Sequence, residues 1–268
     1  MSLLAWNCRG LGSPSAIRTL TDKVKVKNPI LVFLSETKVS SSKMKGFQNK
    51  IGYTVGIIVP SDGKSEGLAM IWKKGTEIWL KSCSNSHIDV VVVREAGQAL
   101  WKATGFYCQF DSGKRKISWS LLESLNKQCA MPSVVYGDFN EITHTDEKLG
   151  WLDRDATQMW KFWECLSKCG LTDLGFVGQR YTWCNGRVGE QRMLIRLDKV
   201  VVNEAWRIMF KEASVHHLAM SASDHCIIAL YLKRKNPTRP VKRRFLFEAM
   251  WTRDERCRQI IKNAWDPL

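Results

Sequence analysis

The chain has 268 residues, of which 44% are hydrophobic and 25% charged, and its formal net charge is +15. This is the composition of a globular protein with enough residues to bury a large core. No apolar run reaches about 18 residues, and the N-terminus lacks the basic and apolar segments of a secretory signal, so the sequence predicts neither a membrane-spanning nor a secreted protein.

Apolar runs separated by glycine and polar residues predict a series of strands. In chain order they lie at 3–7, 30–37, 54–60, 68–72, 88–93, 103–107, 133–140, 181–185, 193–202 and 226–232. Helices are predicted at 15–27, 114–129 and 155–168. The last of these helices has one apolar face that we expect to pack in the core, made of Met159, Phe162, Trp163 and Leu166.

Short links between strands outnumber regular strand–helix–strand units, so we expect an α/β fold with mixed sheets packed face to face and helices outside. The alternating pattern ends at residues 233–244, where proline and like charges accumulate. The sequence therefore predicts one domain over residues 1–232, followed by a basic linker and a C-terminal helical tail over 233–268.

The positive charge favours an anionic partner such as nucleic acid, an anionic membrane or an acidic protein. Nearly half of this charge lies in residues 233–268, which contain eleven Lys and Arg residues and four Asp and Glu residues. A generically basic protein remains the alternative to this interpretation. The nine cysteines are an odd number without the spacing of a zinc site, which indicates reduced thiols in an intracellular protein.

Polar residues stand at the ends of four predicted strands: Asn7, Glu36, Asp138 with Asn140, and Asp198. Each one alone is most simply a turn or cap residue. Strand ends that converge at one sheet edge are, however, a common place for active sites. Taken together, these side chains form a set of oxygen ligands suited to Mg²⁺, with Mn²⁺ as an alternative.

Six motifs in order, WNCRG, LSETK, GFY, GDFN, RLD and SDH, resemble the endonuclease/exonuclease/phosphatase superfamily. The sequence segments WNCRGLGSP, FVGQRYTWCNGR and IRLDKVVVNEAW are most similar to the endonuclease domain of plant LINE-type (non-LTR) retrotransposons. The resemblance covers nearly the whole chain. It implies a DNase I-like fold, a four-layered α/β sandwich of two packed mixed β-sheets flanked by helices.

The resemblance also implies roles for the motif residues. Glu36 is expected to be the principal metal ligand, with Asn7 beside it and Asp224 completing the acidic cluster. Asp138 is expected to orient or deprotonate the attacking water, and Asn140 to donate a hydrogen bond to the substrate phosphate.

Three further residues complete the expected catalytic set. Tyr107 is expected to contact the phosphate and His225 a nonbridging phosphate oxygen, while Asp198 would fix the orientation and tautomer of His225. Residues expected at the substrate are Gln109, which stands where the resemblance predicts asparagine, and Arg180, Thr182 and Trp183. For Trp183 a core position is the favoured alternative.

The sequence therefore predicts a metal-dependent phosphodiesterase, specifically a DNA endonuclease that nicks one strand and leaves a 3′-hydroxyl. A phosphomonoesterase or ribonuclease of the same superfamily remains an alternative, as does a catalytically silent, nucleic-acid-binding retrotransposon remnant. The resemblance implies a reverse transcriptase domain as a partner that this chain lacks. The basic cluster near the C-terminus also predicts nuclear import, and the sequence predicts no oligomeric state.

Overall fold

The computed structural model describes residues 1–61, 67–93, 99–127 and 131–233, together with residues 259, 262 and 263. The chain divides into two compact units, Met1–Arg234 and Lys235–Leu268. The predicted basic linker and helical tail lie almost entirely outside the described residues. Among the helices that are described, none has both the length and the apolar character needed to cross a membrane.

The described part of the chain forms helices and strands in an irregular alternation. The helices are α1 (Pro14–Lys27), α2 (Ser41–Lys50), α3 (Arg115–Lys127), α4 (Ala156–Lys168) and α5 (Glu204–Met209). The strands are β1 (Ser2–Asn7), β2 (Leu31–Ser35), β3 (Val55–Val59), β4 (Leu68–Trp72), β5 (Ile78–Ser84), β6 (His87–Val93), β7 (Ala99–Tyr107), β8 (Ser133–Asp138), β9 (Lys148–Leu149), β10 (Thr172–Asp173), β11 (Val177–Gly178), β12 (Trp183–Cys184), β13 (Leu194–Ile195), β14 (Asp198–Val202), β15 (Ser214–His217) and β16 (Ile228–Tyr231).

The strands of the described ranges form two large mixed sheets and one small sheet. The first large sheet has the order β11-β15-β16-β1-β2-β4-β3, and the second has the order β10-β14-β8-β7-β6-β5. The pairs β1–β2 and β7–β8 are parallel, whereas β1–β16 and β8–β14 are antiparallel. The small sheet has the order β12-β13-β9.

Alternating side chains along the central strands separate the layers, because successive residues of a strand point to opposite faces. On β1, Leu3 and Ala5 enter the core between the two large sheets, while Leu4 and Trp6 pack with buried residues of α1 and α2. On the second sheet, Val135 packs outward with residues of α3 and α4. The result is the predicted four-layered α/β sandwich, two mixed sheets with helices on both outer faces.

Helix α1 shows how local sequence fixes an element of the outer layer. The Ser13 hydroxyl accepts a hydrogen bond from the amide of Ala16, and Pro14 occupies the first turn, where no hydrogen bond is lost. Asn28 ends the helix in a left-handed conformation. Leu20 and Val24 then place the apolar face on the first sheet.

Two predictions about local structure were wrong. The predicted strand 193–202 is divided into β13 and β14, because Arg196 and Leu197 direct their amides to the Glu147 carbonyl and the Thr182 hydroxyl instead of to a sheet partner. In α4, Trp163 is half exposed rather than part of the core. The buried face is centred on Phe162, Cys165 and Leu166, and Trp163 lies about 100° around the helix from Phe162.

This arrangement predicts different costs for two neighbouring aromatic residues. Phe162→Ala should lower the free energy of unfolding by about 3–5 kcal/mol, because it empties a site between α3, α4 and the second sheet. Trp163→Ala, at a position that is 50% exposed, should cost well under half as much. Urea denaturation of both variants measures the difference, and equal losses would contradict the orientation of α4.

Candidate active site

The polar strand ends of the two large sheets meet at one edge of the sandwich. Asn7 ends β1, next to Ser35 at the end of the parallel strand β2. In the second sheet, Tyr107 ends β7 directly opposite Asp138 at the end of the parallel strand β8, and Asp198 begins the antiparallel strand β14 opposite the same Asp138. The pairing of these strands therefore brings residues from distant parts of the sequence together at one edge of the sandwich.

Asn7 connects the two sheets through its side-chain amide. Its Nδ2 donates to Glu36 Oε1 at 2.8 Å and to Asp138 Oδ2 at 2.9 Å. The Tyr107 hydroxyl also donates to Glu36 Oε1, at 3.2 Å. All four side chains are buried or nearly so. The predicted metal ligands Asn7 and Glu36 and the predicted catalytic residues Tyr107 and Asp138 thus form one hydrogen-bonded cluster.

The turn after β8 holds Asp138 in place. The Asn140 amide nitrogen donates to Asp138 Oδ1 at 2.9 Å, and the Asn140 side chain donates to the Cys108 carbonyl at 2.8 Å. Gly137 has a φ of +140°, and a Cβ there would lie 2.2 Å from the Phe106 carbonyl oxygen, so only glycine fits before Asp138. The observed contacts give Asn140 a part in orienting Asp138, beside its predicted contact with phosphate.

His225 lies between the two aspartates of the second sheet. Its Nδ1 donates to Asp198 Oδ2 at 2.8 Å, and its Nε2 lies 3.9 Å from Asp138 Oδ2. Burial lowers the pKa of His225, but the charges of Asp198 and Asp138 outweigh burial and raise this pKa to about 9. The imidazole is therefore a cation at neutral pH.

Burial has the opposite consequence for the neighbouring carboxyl group. Desolvation raises the pKa of Asp138 to about 6; the His225 charge opposes this rise and the Asp198 charge adds to it. Asp138 thus has a proton affinity well above that of an exposed aspartate, as a group that accepts a proton from water requires.

Thr182 is buried beneath the site, whereas Trp183 is partly exposed beside Asp224. Thr182 has no exposed surface, and its hydroxyl accepts from the amides of Leu197 and Asp198 at 2.9 Å each. These contacts give Thr182 a part in positioning Asp198, and its contact with substrate stays a prediction. Trp183 is partly buried and donates from Nε1 to Asp224 Oδ2 at 3.0 Å.

Asp224 lies at the entrance of the site. Its Oδ1 contacts Arg9 Nε at 3.2 Å and accepts from the Ser223 hydroxyl at 3.3 Å, while its Oδ2 is held by Trp183. Arg9 also reaches Glu36, so it links the two predicted metal ligands. The contacts observed for Asp224 are therefore with an indole, a hydroxyl and a guanidinium group.

Two cations at the site were missed by the sequence analysis. Lys38 Nζ lies 2.7 Å from Glu36 Oε2, and Arg9 Nη1 lies 3.5 Å from the same oxygen. Burial raises the pKa of Glu36, but Lys38, Asn7 and Arg9 together outweigh it and lower this pKa, which keeps the carboxylate ionised. Their position within two residues of Asn7 and Glu36 in the motifs WNCRG and LSETK was the available signal.

Gln109 and Arg180 lie outside this buried cluster. Gln109 is partly exposed two residues beyond Tyr107, and its amide nitrogen donates to the Ser118 hydroxyl. Arg180 is exposed and lies 3.8 Å from Asp146. Both side chains are open to solvent, and their contact with substrate stays a prediction.

The donor atoms at this edge fit a divalent metal ion. Ligand atoms of Asp138, Asp198 and His225 all lie within 4.8 Å of one another, and all three residues are buried. Because a protonated imidazole has no lone pair for a metal, the ligands that this group offers are its two carboxylates. Glu36 adds a third carboxylate, which shares the Asn7 amide with Asp138. Carboxylate oxygens suit Mg²⁺ and Mn²⁺, and a buried carboxylate such as Asp138 gains most from a cation.

A second buried charge cluster supports the start of β14. Glu147 Oε1 contacts Arg196 Nη1 at 2.6 Å and Lys199 Nζ at 2.5 Å, and Lys199 has no exposed surface. Burial raises the pKa of Glu147, but Lys199 and Arg196 outweigh it and bring this pKa to about 2. Because Lys199 follows Asp198, this cluster fixes the strand that carries the partner of His225.

These charges predict how stability depends on pH. The folded-state pKa of Glu147 is depressed below its ordinary value of 4.5, so the stability that this carboxylate contributes is complete above about pH 4.5 and is lost as pH falls toward 2. Wild type should exceed Glu147→Gln in unfolding free energy by on the order of 3 kcal/mol at pH 7 and by much less at pH 3. Urea denaturation at both pH values tests this.

The control is Glu164→Gln, which breaks an exposed ion pair with Lys168 on α4. Since exposed pairs contribute little, that variant should follow wild type at both pH values. A difference between wild type and Glu147→Gln that is the same at pH 7 and pH 3 would contradict the ion-pair account.

Comparison with known proteins identifies the fold and the family. Residues 4–225 match the model of the Endonuclease/Exonuclease/phosphatase family. The chain belongs to this family. Its members are hydrolytic nucleases and phosphatases that typically depend on a divalent metal, and the matched residues include every strand end that forms the cluster. No curated protein matches the chain.

Solved structures of the Endonuclease/Exonuclease/phosphatase fold resemble the chain over most of its length. The endonuclease domain of TRAS1, a telomere-specific non-LTR retrotransposon, has 16% identity and a TM-score of 0.60, with 88% of this chain and 99% of that chain covered. The 3′ phosphatase NExo from Neisseria has 18% identity and a TM-score of 0.62, with 86% and 98% covered. The AP endonuclease LMAP from Leishmania major has 13% identity and a TM-score of 0.63, with 87% and 88% covered.

Proposed function

We propose that this family member is a divalent-metal-dependent phosphodiesterase that nicks one strand of DNA and leaves a 3′-hydroxyl. The observation that carries the proposal is the buried cluster in which the His225 cation faces Asp138, while Asn7 joins Asp138 to Glu36. It combines a proton acceptor, a fixed positive charge and a set of metal ligands at one sheet edge. These are the groups that phosphodiester hydrolysis needs.

Each side chain has a task that follows from its contacts. Asp138 orients the attacking water and takes its proton, since burial gives the carboxyl group a raised pKa. The protonated Nε2 of His225 stabilises negative charge on a nonbridging phosphate oxygen. Asp198 holds the imidazole by Nδ1, so that Nε2 points to the reacting group.

Glu36 and Asn7 are the residues that would hold the divalent cation, Mg²⁺ or Mn²⁺, while Asp138 beside them serves the attacking water. When bound, such an ion supplies positive charge against the charge that builds up on the phosphate oxygens. The Tyr107 hydroxyl, which donates to Glu36 Oε1, orients that carboxylate and lies within the same cluster, where it can also meet the phosphate. Asp224 contributes acidic charge at the entrance.

DNA is the proposed substrate because the net charge of +15 suits a polyanion. The likeness to the TRAS1 endonuclease domain and to LMAP supports the same choice. We further propose that the chain derives from a plant LINE-type element and works with a reverse transcriptase in the nucleus. The basic residues 233–268 would then add affinity for DNA without sequence preference.

The experiment that tests the proposal uses purified protein and four substrates: supercoiled plasmid, poly(A) RNA, a 3′-phosphorylated oligonucleotide and inositol phosphates. With Mg²⁺, the plasmid should become nicked circle whose ends prime a DNA polymerase, and with chelator it should stay supercoiled. Faster hydrolysis of RNA or of a phosphomonoester would favour the alternative enzymes. Binding of DNA without hydrolysis of any substrate would favour a catalytically silent remnant.

A further inference from the structure

Glu36 is surrounded by hydrogen-bond donors, two of which are positively charged. Oε1 accepts from Asn7 and Tyr107, and Oε2 contacts Lys38 and Arg9. The carboxylate is almost fully buried, whereas the Arg9 side chain is 45% exposed. Positive charge is thus already present at the acidic group that is expected to attract a divalent ion.

Arg9 differs from Lys38 because it joins two acidic residues. Its Nη1 lies 3.5 Å from Glu36 Oε2, and its Nε lies 3.2 Å from Asp224 Oδ1. The guanidinium group therefore lies between the carboxylate after β2 and the carboxylate before β16. A cation placed between the same two carboxylates would have to displace it.

The backbone is built to hold this arrangement. Five non-glycine residues in the described ranges have φ near +50°, and only Asn28 among them is a helix cap; the others are Arg9, Glu36, Lys38 and Asn140. Such conformations are costly and concentrate at functional sites. The Cys8 amide donates to the Ser35 carbonyl and the Leu11 amide to the Thr37 carbonyl, so the two loops that carry the cations are tied together.

We propose that Arg9 takes the place of a second metal ion. Its guanidinium group neutralises Glu36 and Asp224 together, limits the site to one divalent cation, and offers its exposed N–H groups to a substrate phosphate. A substitution that removes the Arg9 charge should therefore change the affinity for a divalent cation and the affinity for nucleic acid in opposite directions. Removing the charge should strengthen binding of a divalent cation, because a repulsion is lost, and should weaken binding of a nucleic acid strand, because a phosphate contact is lost.

The phosphate contact rests on the proposed function, whereas the limit to one cation does not. Arg9→Gln removes the charge but keeps a side chain of similar reach. Arg9→Lys keeps the charge but not the two-sided contact with both carboxylates. Lys211→Gln is the charge-matched control, because Lys211 lies far from the site. Lys211 follows α5, and Asn203, the N-cap of that helix, binds the first residue of β8. Asp138 lies at the other end of β8.

The test measures Mn²⁺ binding by calorimetry and binding of a fluorescent DNA oligonucleotide by anisotropy in chelator, with thermal melting to verify folding. Wild type, Arg9→Lys and Lys211→Gln should bind one Mn²⁺ ion. Arg9→Gln should bind a second ion, or bind the first about tenfold more tightly, and its Kd for the oligonucleotide should rise about tenfold.

Arg9→Gln that binds one Mn²⁺ ion with unchanged affinity, or wild type that binds two or none, would overturn the proposal. A loss of both Mn²⁺ and oligonucleotide binding in folded Arg9→Gln would also overturn it, since that pattern indicates a structural role. If wild type fails to nick plasmid but the Mn²⁺ count still changes with Arg9→Gln, the cation role of Arg9 stands and the proposed DNA nicking does not.

Discussion

Replacing His225 with alanine should lower the rate of plasmid nicking by roughly 10³-fold. The imidazole is the buried cation that faces Asp138, and alanine removes the positive charge and the hydrogen-bond donor together. The reaction is followed as the conversion of supercoiled plasmid to nicked circle in Mg²⁺, with enzyme in excess over plasmid so that the chemical step is measured.

The matched control is His144→Ala, which makes the same substitution at an exposed histidine. This variant should nick plasmid at the wild-type rate. Thermal melting of both variants separates lost chemistry from lost structure. Nicking by folded His225→Ala within tenfold of wild type would remove His225 from the mechanism.

Asp198→Asn should lower the same rate by two or more orders of magnitude, because the carboxylate fixes the His225 ring and favours its cation. Asparagine keeps the size of the side chain and loses its charge. The amide of residue 198 still donates to the Thr182 hydroxyl, so the strand should keep its position. The loss is expected in the rate of chemistry and not in the affinity for DNA.

A double variant separates a role through His225 from a direct role at the metal. Ligand atoms of Asp198, Asp138 and His225 lie close enough together for either role. If Asp198 acts through the imidazole, Asp198→Asn/His225→Ala should nick hardly more slowly than His225→Ala alone. Rates measured across a Mg²⁺ titration decide the matter, because losses that multiply, or a greatly increased Mg²⁺ requirement of Asp198→Asn, would assign the carboxylate to the metal.

The strand ends of the site could be predicted because buried strands have a strong sequence pattern. Asn7 and Asp138 each follow an apolar run, and the parallel pairs β1–β2 and β7–β8 bring such strand ends together. Tyr107 was expected only from the resemblance of the GFY motif. The contact between Asp198 and His225 could be anticipated only from the resemblance of the motifs, since 27 residues separate the two positions. Antiparallel pairing supplies the contact: β14 places Asp198 beside Asp138, and β16, which follows His225, pairs with β1.

Other features depended on tertiary contacts that have no local pattern. The break between β13 and β14 arises because the Arg196 amide donates to the Glu147 carbonyl and the Leu197 amide to the buried Thr182 hydroxyl, so neither joins the strand ladder. The only signal for Arg9 and Lys38 was their position within two residues of Asn7 and Glu36, and a cation beside a motif is usually exposed. The position of Trp163 was missed because apolar residues at i, i+3, i+4 and i+7 define a stripe at least about 100° wide, and the sequence does not show which residues lie at its edge.

The central claim is that the cluster around Asp138 hydrolyses a phosphodiester bond in DNA. The most direct measurement compares purified wild type with Asp138→Asn on supercoiled plasmid in Mg²⁺, with oligonucleotide binding measured on the same samples. Wild type should produce nicked circle with extendable 3′-hydroxyl ends, and Asp138→Asn should bind the oligonucleotide but leave the plasmid supercoiled. Equal nicking by the two proteins would contradict the account.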